Sequence, residues 1–103
     1  MAPRTFGLAK PVVALTVEDY RIAIQAHVDA TAIVGNYDSG TSLASYVAST
    51  NPAWAAEAAA FVAWRDSVWA YAYAELDKVL AGQREQPDVE AFIAELPEIE
   101  WPE

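Results

Sequence analysis

Both ends of one long helix are spelled out in the segment running from Asn51-Pro52-Ala53-Trp54 to Ala81-Gly82, and this leaves the chain little freedom. Asn51 is a good N-cap acceptor, Pro52 suits the first helical turn because it has no amide hydrogen to leave unpaired, and Gly82 tolerates the left-handed conformation that ends a helix. The middle of the segment carries Trp64, Trp69, Tyr71 and Tyr73, more aromatic surface than a lone helix keeps in water. It must therefore pack against something. At about 100° per residue, Trp54, Phe61, Trp64, Val68, Tyr71, Ala72, Leu76 and Val79 gather on one broad side. Trp69 and Tyr73 fall on the flank of that sector, making it wide enough for two neighbours. The alanines of residues 53–63 keep helix propensity high and let a partner element approach closely.

Shorter elements surround this spine. Thr16-Val17-Glu18-Asp19 supplies a hydroxyl cap with acids in the first turn, followed by Val17, Tyr20, Ile24, Val28 and Thr31 at helical spacing, so a first helix is expected to end near residues 33–35. The stretch Gly35-Asn36-Tyr37-Asp38-Ser39-Gly40 reads as a tight loop, and residues 41–48 as a short second helix weakened by serine and threonine, which compete for backbone groups. After the polar connector of residues 83–87, residues 88–96 form a short amphipathic fourth helix stopped by Pro97. The expected fold is all-α: three to four helices bundled around one long central helix, with an extended arm over residues 1–15, a helical domain over 16–96 and an extended acidic tail over 97–103.

Chains of 103 residues with 54% hydrophobic and 20% charged side chains close around a single core, so one domain is expected. Fifteen acids against six Lys and Arg give a net charge of -9, which opposes phosphate backbones and disfavours nucleic acid as a partner. Acidity of this size ordinarily serves solubility; its sharper reading is mimicry of DNA. The absence of cysteine rules out disulfides and thiolate metal sites and fits a reducing cytosol. No apolar stretch reaches membrane-spanning length, and Met1-Ala2-Pro3-Arg4 does not open a secretory signal, so a protein made and kept in the cytosol until assembled is expected.

The search for chemistry is mostly negative. His27 is the only histidine, and neither a metal-ligating histidine pair nor a nucleophile elbow surrounds it, so its hydrogen bonds are expected to be structural. The four glycines form no phosphate-cradling loop. No catalytic residue, cofactor or metal is expected. Arg65 falls on the face expected to be buried, where a guanidinium needs partners, and an internal clamp to the Tyr37-Asp38 loop or to Asp29 is preferred over an outside acidic ligand. Trp64, Trp69, Tyr71 and Tyr73 form either a stacking platform for sugars or bases or, as helical spacing favours, part of a core. Trp54, Phe61, Trp64, Arg65, Trp69 and Tyr71 are accordingly given structural roles.

The series Tyr37-Asp38-Ser39, Ser42, Ser45-Tyr46, Ser49-Thr50-Asn51-Pro52, Trp54, Ala56-Glu57, Trp64-Arg65-Asp66, Trp69, Tyr71, Gly82, Pro87, Ala94-Glu95-Leu96-Pro97 and Trp101-Pro102 resembles small proteins of tailed bacteriophages and prophages encoded among tail and tail-fibre genes. The likeness runs from about His27 to the C-terminus. Where those proteins usually show Gly-Tyr in the loop, this chain has Asn36-Tyr37, and asparagine should preserve the turn because it also tolerates a left-handed conformation. The resemblance implies tail-fibre assembly or attachment.

The leading expectation is a non-enzymatic phage tail accessory protein that binds the tail fibre or an adjacent baseplate protein, as a chaperone in the host cytoplasm or as an attachment subunit on the virion tail. Phe6, Val12, Val13 and Leu15 of the arm and Ile99 and Trp101 of the tail are the expected partner-binding residues, through strand-like addition or groove docking. Self-association through the broad face of the long helix is equally compatible. The alternative is an acidic anti-defence protein in which Glu85, Asp88, Glu90, Glu95, Glu98, Glu100 and Glu103 imitate phosphates and block a host enzyme. A hydrolase comes third, for want of a nucleophile beside a base.

Overall fold

Four α-helices and one turn of 3-10 helix make up the regular structure of the computed structural model, which describes residues 15–103. In chain order they are α1 (Val17–Val34), α2 (Gly40–Ala44), the 3-10 turn (Ser45–Ala48), α3 (Pro52–Leu80) and α4 (Val89–Glu95). The fold is all-helical around a long central helix: α3 has 29 residues and so extends about 44 Å. Of the expected arm, Phe6, Val12 and Val13 lie outside the described residues, and Leu15 is 39% exposed.

Every α-helix starts on a side chain that accepts its orphan amides. Thr16 and Asp19 form a reciprocal capping box on α1, in which Thr16 Oγ1 accepts from the Asp19 amide and the Asp19 carboxylate accepts from the Thr16 amide at 2.7 Å. Ser39 caps α2 and Asp88 caps α4, while Asn51 Oδ1 accepts from the amides of both Ala53 and Trp54 at the head of α3. The ends of the two longer helices share one device. In α1 the Tyr37 amide donates to the Ala32 carbonyl and the Asn36 amide to that of Ile33, while Asn36 holds φ at 74°. In α3 the Gln83 amide donates to the Lys78 carbonyl and the Gly82 amide to that of Val79, with Gly82 also at 74°. Both are Schellman ends, so asparagine does in the first loop what glycine does after α3.

The second helix is shorter than expected. Ser45 Oγ donates to the Ser42 carbonyl at 2.6 Å, and from Ser45 the chain tightens into 3-10 geometry. This is the serine competition anticipated for the segment.

The core gathers Tyr20, Ile24, Val28 and Ala32 from α1, Leu43 from α2, Ala58, Phe61, Trp64, Val68, Ala72 and Leu76 from α3, and Phe92 and Leu96 from and just after α4. Along α1 these recur every fourth residue, the stripe a helix presents to its neighbours. α1 packs on α2, α3 and α4, and α2 with the 3-10 turn packs on the first half of α3. The link from α4 to α3 is made by large side chains. Phe92 fills the gap, edge-on to Tyr20 at 5.6 Å and tilted against Tyr71 at 6.2 Å. The tail has no regular structure, yet Ile99 and Trp101 pack on the core, and the Trp64 indole donates to the Pro97 carbonyl at 2.7 Å.

Two expectations for α3 need correction. Arg65 is not clamped inside: it pairs with the adjacent Asp66 at 2.9 Å, and its side chain is 36% exposed. Trp54 is 49% exposed rather than buried. The cause is that the buried stripe is not straight. From Ala58 through Phe61 to Trp64 it advances in steps of three, each rotating it about 60° one way. From Trp64 through Val68 and Ala72 to Leu76 the steps are of four, each rotating it about 40° back. A wheel averaged over the whole helix puts Arg65 in the middle of the apolar side. At its own level the stripe has swung to Trp64 and Val68, leaving Arg65 on the flank. Asp29, the other suggested partner of Arg65, instead accepts from the Gly40 amide at 2.9 Å and ties α2 to α1.

Candidate functional site

A groove of about 380 Å³ opens where the end of α1, the following loop, the 3-10 turn and the start of α3 converge, and Gly35, Asn36, Tyr37, Tyr46, Trp54 and Glu57 line it. The local structure dictates this convergence. The Schellman end turns the chain at Asn36 and presents Tyr37, the 3-10 turn presents Tyr46, and the cap at Asn51 starts α3 so that Trp54 and Glu57 fall one helical turn apart. The rings stand edge-on in series. Tyr37 and Tyr46 have centroids 5.5 Å apart at an interplanar angle of 60°, and Tyr46 and Trp54 are 5.9 Å apart at 82°. Such edge-to-face pairs hold aromatic walls at fixed angles.

Glu57 is the charge in this groove. The Tyr37 hydroxyl donates to Glu57 Oε1 at 2.6 Å, an ordering contact across 20 residues of sequence. That hydrogen bond to the carboxylate, then burial, pushes the Tyr37 phenol up to about 12. No lysine or arginine among the described residues stands within ion-pairing distance of Glu57.

A second groove of about 310 Å³ has His27, Thr31, Trp64, Leu96, Pro97 and Ile99 among its lining. His27 is half-buried and lies 5.8 Å from the Trp64 ring, and its carbonyl accepts from the Thr31 hydroxyl. Among the described residues no group of three or more His, Cys, Asp or Glu side chains could hold a metal ion. Likewise, no described helix is long and apolar enough to cross a membrane.

Arg84 forms the main ionic link on the far side. Its guanidinium bridges Glu75, at 2.8 Å, to Glu95 and lies 5.6 Å from the Phe92 ring centre. Glu95 also accepts from the Tyr71 hydroxyl at 2.8 Å. Hydrogen bonds from Arg84 and Tyr71 hold the Glu95 carboxyl below the usual range; for Glu75 the larger cause is Lys78, with Arg84 adding to it. Of the acids that suggested mimicry of phosphates, Glu95 is thus engaged in this bridge and Asp88 in capping α4.

The residues assigned to partner binding are divided by the structure. Leu15 sits beside Val17, Leu76 and Leu80 at the other end of the molecule. Ile99 and Trp101 turn inward, with the Trp101 indole so close over Gly35 that an added Cβ there would lie 3.2 Å from its Cη2. Among the residues given structural roles, Phe61 and Trp64 are core, Trp69 and Tyr71 flank it, and Trp54 walls the aromatic groove. The sequence places Tyr37 in the first loop and Tyr46 in the expected second helix, and Glu57 enters only through the resemblance, but nothing in it shows that the three meet. No helical or strand period connects positions 37, 46 and 57, so the only sequence signal was their common place in that series.

Compared with protein-family models, with curated proteins and with solved structures, the chain has no match in any of the three.

Proposed function

We propose that this protein is a non-enzymatic accessory protein of a phage tail, which binds the tail fibre or an adjacent baseplate protein and acts in fibre assembly or attachment. The observation that carries this reading is the apolar surface left uncovered around the aromatic groove. Ile33, Val34, Val47 and Trp54 are all exposed, Val34 at 79%. Ile33 and Val34 end the helix that leads into the groove, Val47 follows Tyr46, and Trp54 is one of its walls. A partner covering them would remove substantial apolar surface from water. Asn36, Tyr37, Tyr46, Trp54 and Glu57 also belong to the stretch that resembles phage tail proteins. On this reading the outer edges of Ile99 and Trp101 extend the contact, and Leu15 with the arm before it makes a second one at the other end of the molecule.

Co-expression with the fibre protein of the same phage, followed by size-exclusion chromatography with light scattering and mass analysis of purified particles, tests it. A complex that persists in virions identifies an attachment subunit, and a complex present only before assembly identifies a chaperone acting in the host cytoplasm. Absence of any complex overturns the reading and puts the acidic anti-defence alternative first.

A further inference from the structure

The aromatic groove has the makings of a cation site. Three rings wall it at angles of 60° and 82° to one another, offering π-faces and edges from more than one direction. An aromatic face attracts a cation when water is partly excluded. The carboxylate of Glu57 adds a full negative charge at the same place, partly buried and with no lysine or arginine of the described chain within ion-pairing distance. On the far side, by contrast, Arg84 lies over the Phe92 ring and pairs with both half-buried Glu75 and the more exposed Glu95. Among the described residues Glu57 has no such partner.

We propose that this groove binds the basic side chain of a partner polypeptide, lysine or arginine, with the stem against Tyr46 and Trp54 and the charged end on Glu57. The proposal rests on the groove and does not require the partner to be a tail fibre. Glu57 Oε1 accepts from the Tyr37 hydroxyl, and among the described residues its other oxygen has no partner. Glu95, which accepts from the Tyr71 hydroxyl in the same way, pairs through its other oxygen with the basic side chain of Arg84, so one oxygen is enough to hold such a cation. A protein of net charge -9 also draws a basic partner segment toward it from a distance.

The test is a titration of the full chain, isotope-labelled at tryptophan indole nitrogens, with three short capped peptides identical except for a central lysine, arginine or norleucine, and with choline. The Trp54 signal is assigned with Trp54→Phe. The expected result is a saturable shift of Trp54 with a basic peptide, binding about tenfold weaker for norleucine, and a similar loss for that basic peptide in Glu57→Gln. Glu57→Gln keeps an acceptor for Tyr37, and an unchanged helical circular dichroism spectrum confirms that the fold is retained. Equal binding of norleucine would make this an apolar groove and overturn the proposal. Tighter binding of choline than of either basic peptide would overturn the assignment to a basic side chain, and so would no shift with any of them. Loss of fibre binding in the co-expression experiment with basic-peptide binding intact would sink the tail reading and leave the site standing.

Discussion

Tyr37 ties the first loop to α3 through one proton. Its phenol is raised from the ordinary value of 10.0 to about 12, first because its hydroxyl donates to Glu57 and then because it is buried. A raised folded-state value means that the contribution to stability is complete below about pH 10 and is lost as pH climbs toward 12. Among the five tyrosines, Tyr37 and Tyr71, whose hydroxyls both donate to glutamates, should titrate late in an ultraviolet alkaline titration, and in Glu57→Ala the Tyr37 phenol should return toward its ordinary range. If all five titrate together, the bond does not exist in solution. Gly40 makes a different demand. A Cβ there would lie 2.9 Å from Asp29 Oδ1, the atom accepting its own amide, and 3.2 Å from Phe61 Cζ, a ring with no exposed surface. Gly40→Ala should therefore cost about 1–3 kcal/mol in urea unfolding despite the higher helix propensity of alanine. A stabilised variant would show that the junction of α1 and α2 is looser than described.

At the scale of elements, the caps and the α3–α4 bridge are the levers. Asn51 Oδ1 serves two amides at the start of α3, so Asn51→Ala should lower stability by about 1 kcal/mol. Asn36, at φ 74°, pays the small penalty of a left-handed side-chain-bearing residue, and Asn36→Gly should be neutral or stabilising by up to about 1 kcal/mol. Opposite signs for two asparagines in one chemical-denaturation series would identify the conformations they hold. The Arg84 bridge gives an acid limb. Glu75 and Glu95 are both held below the ordinary glutamate value of 4.5, so their contribution is complete above that value and fades as pH falls beneath it. Arg84→Met, which keeps apolar contact with Phe92, should flatten the dependence of thermal midpoint on pH between about 5 and 3. An unchanged acid limb would place its origin elsewhere.

Across the whole molecule, the tail decides how the helices are held. The Pro97 carbonyl accepts from the Trp64 indole, and Ile99 and Trp101 cover the side of the core where α1 ends. Truncation after Leu96 should cost about 2–3 kcal/mol, lower the thermal midpoint by roughly 10 °C or more, and red-shift Trp64 emission. A truncated chain with an unchanged midpoint would assign the tail wholly to partner binding. Much of the architecture was legible locally: Thr16 with Asp19, Asn51 with Pro52, Asp88 and Gly82 mark helix ends because a cap acts over three or four residues, within the reach of sequence. The left-handed turn at Asn36 was legible for the same reason. The identity of the apolar side of α3 was also legible, but not its course, since the switch from steps of three to steps of four answers to neighbours at different heights. That is why Arg65 was placed inside and Trp54 in the core. The groove was not legible, because Tyr37, Tyr46, Trp54 and Glu57 come from a loop, a 3-10 turn and a helix with no shared period. The sequence by itself determined where helices begin and end and that they bury one another, because hydrogen-bonded caps and amphipathic spacing are short-range. Only the tertiary structure decided which aromatic rings became core, which became a wall and which acid was left without a cation among the described residues, because those outcomes depend on distances between segments that no local pattern encodes.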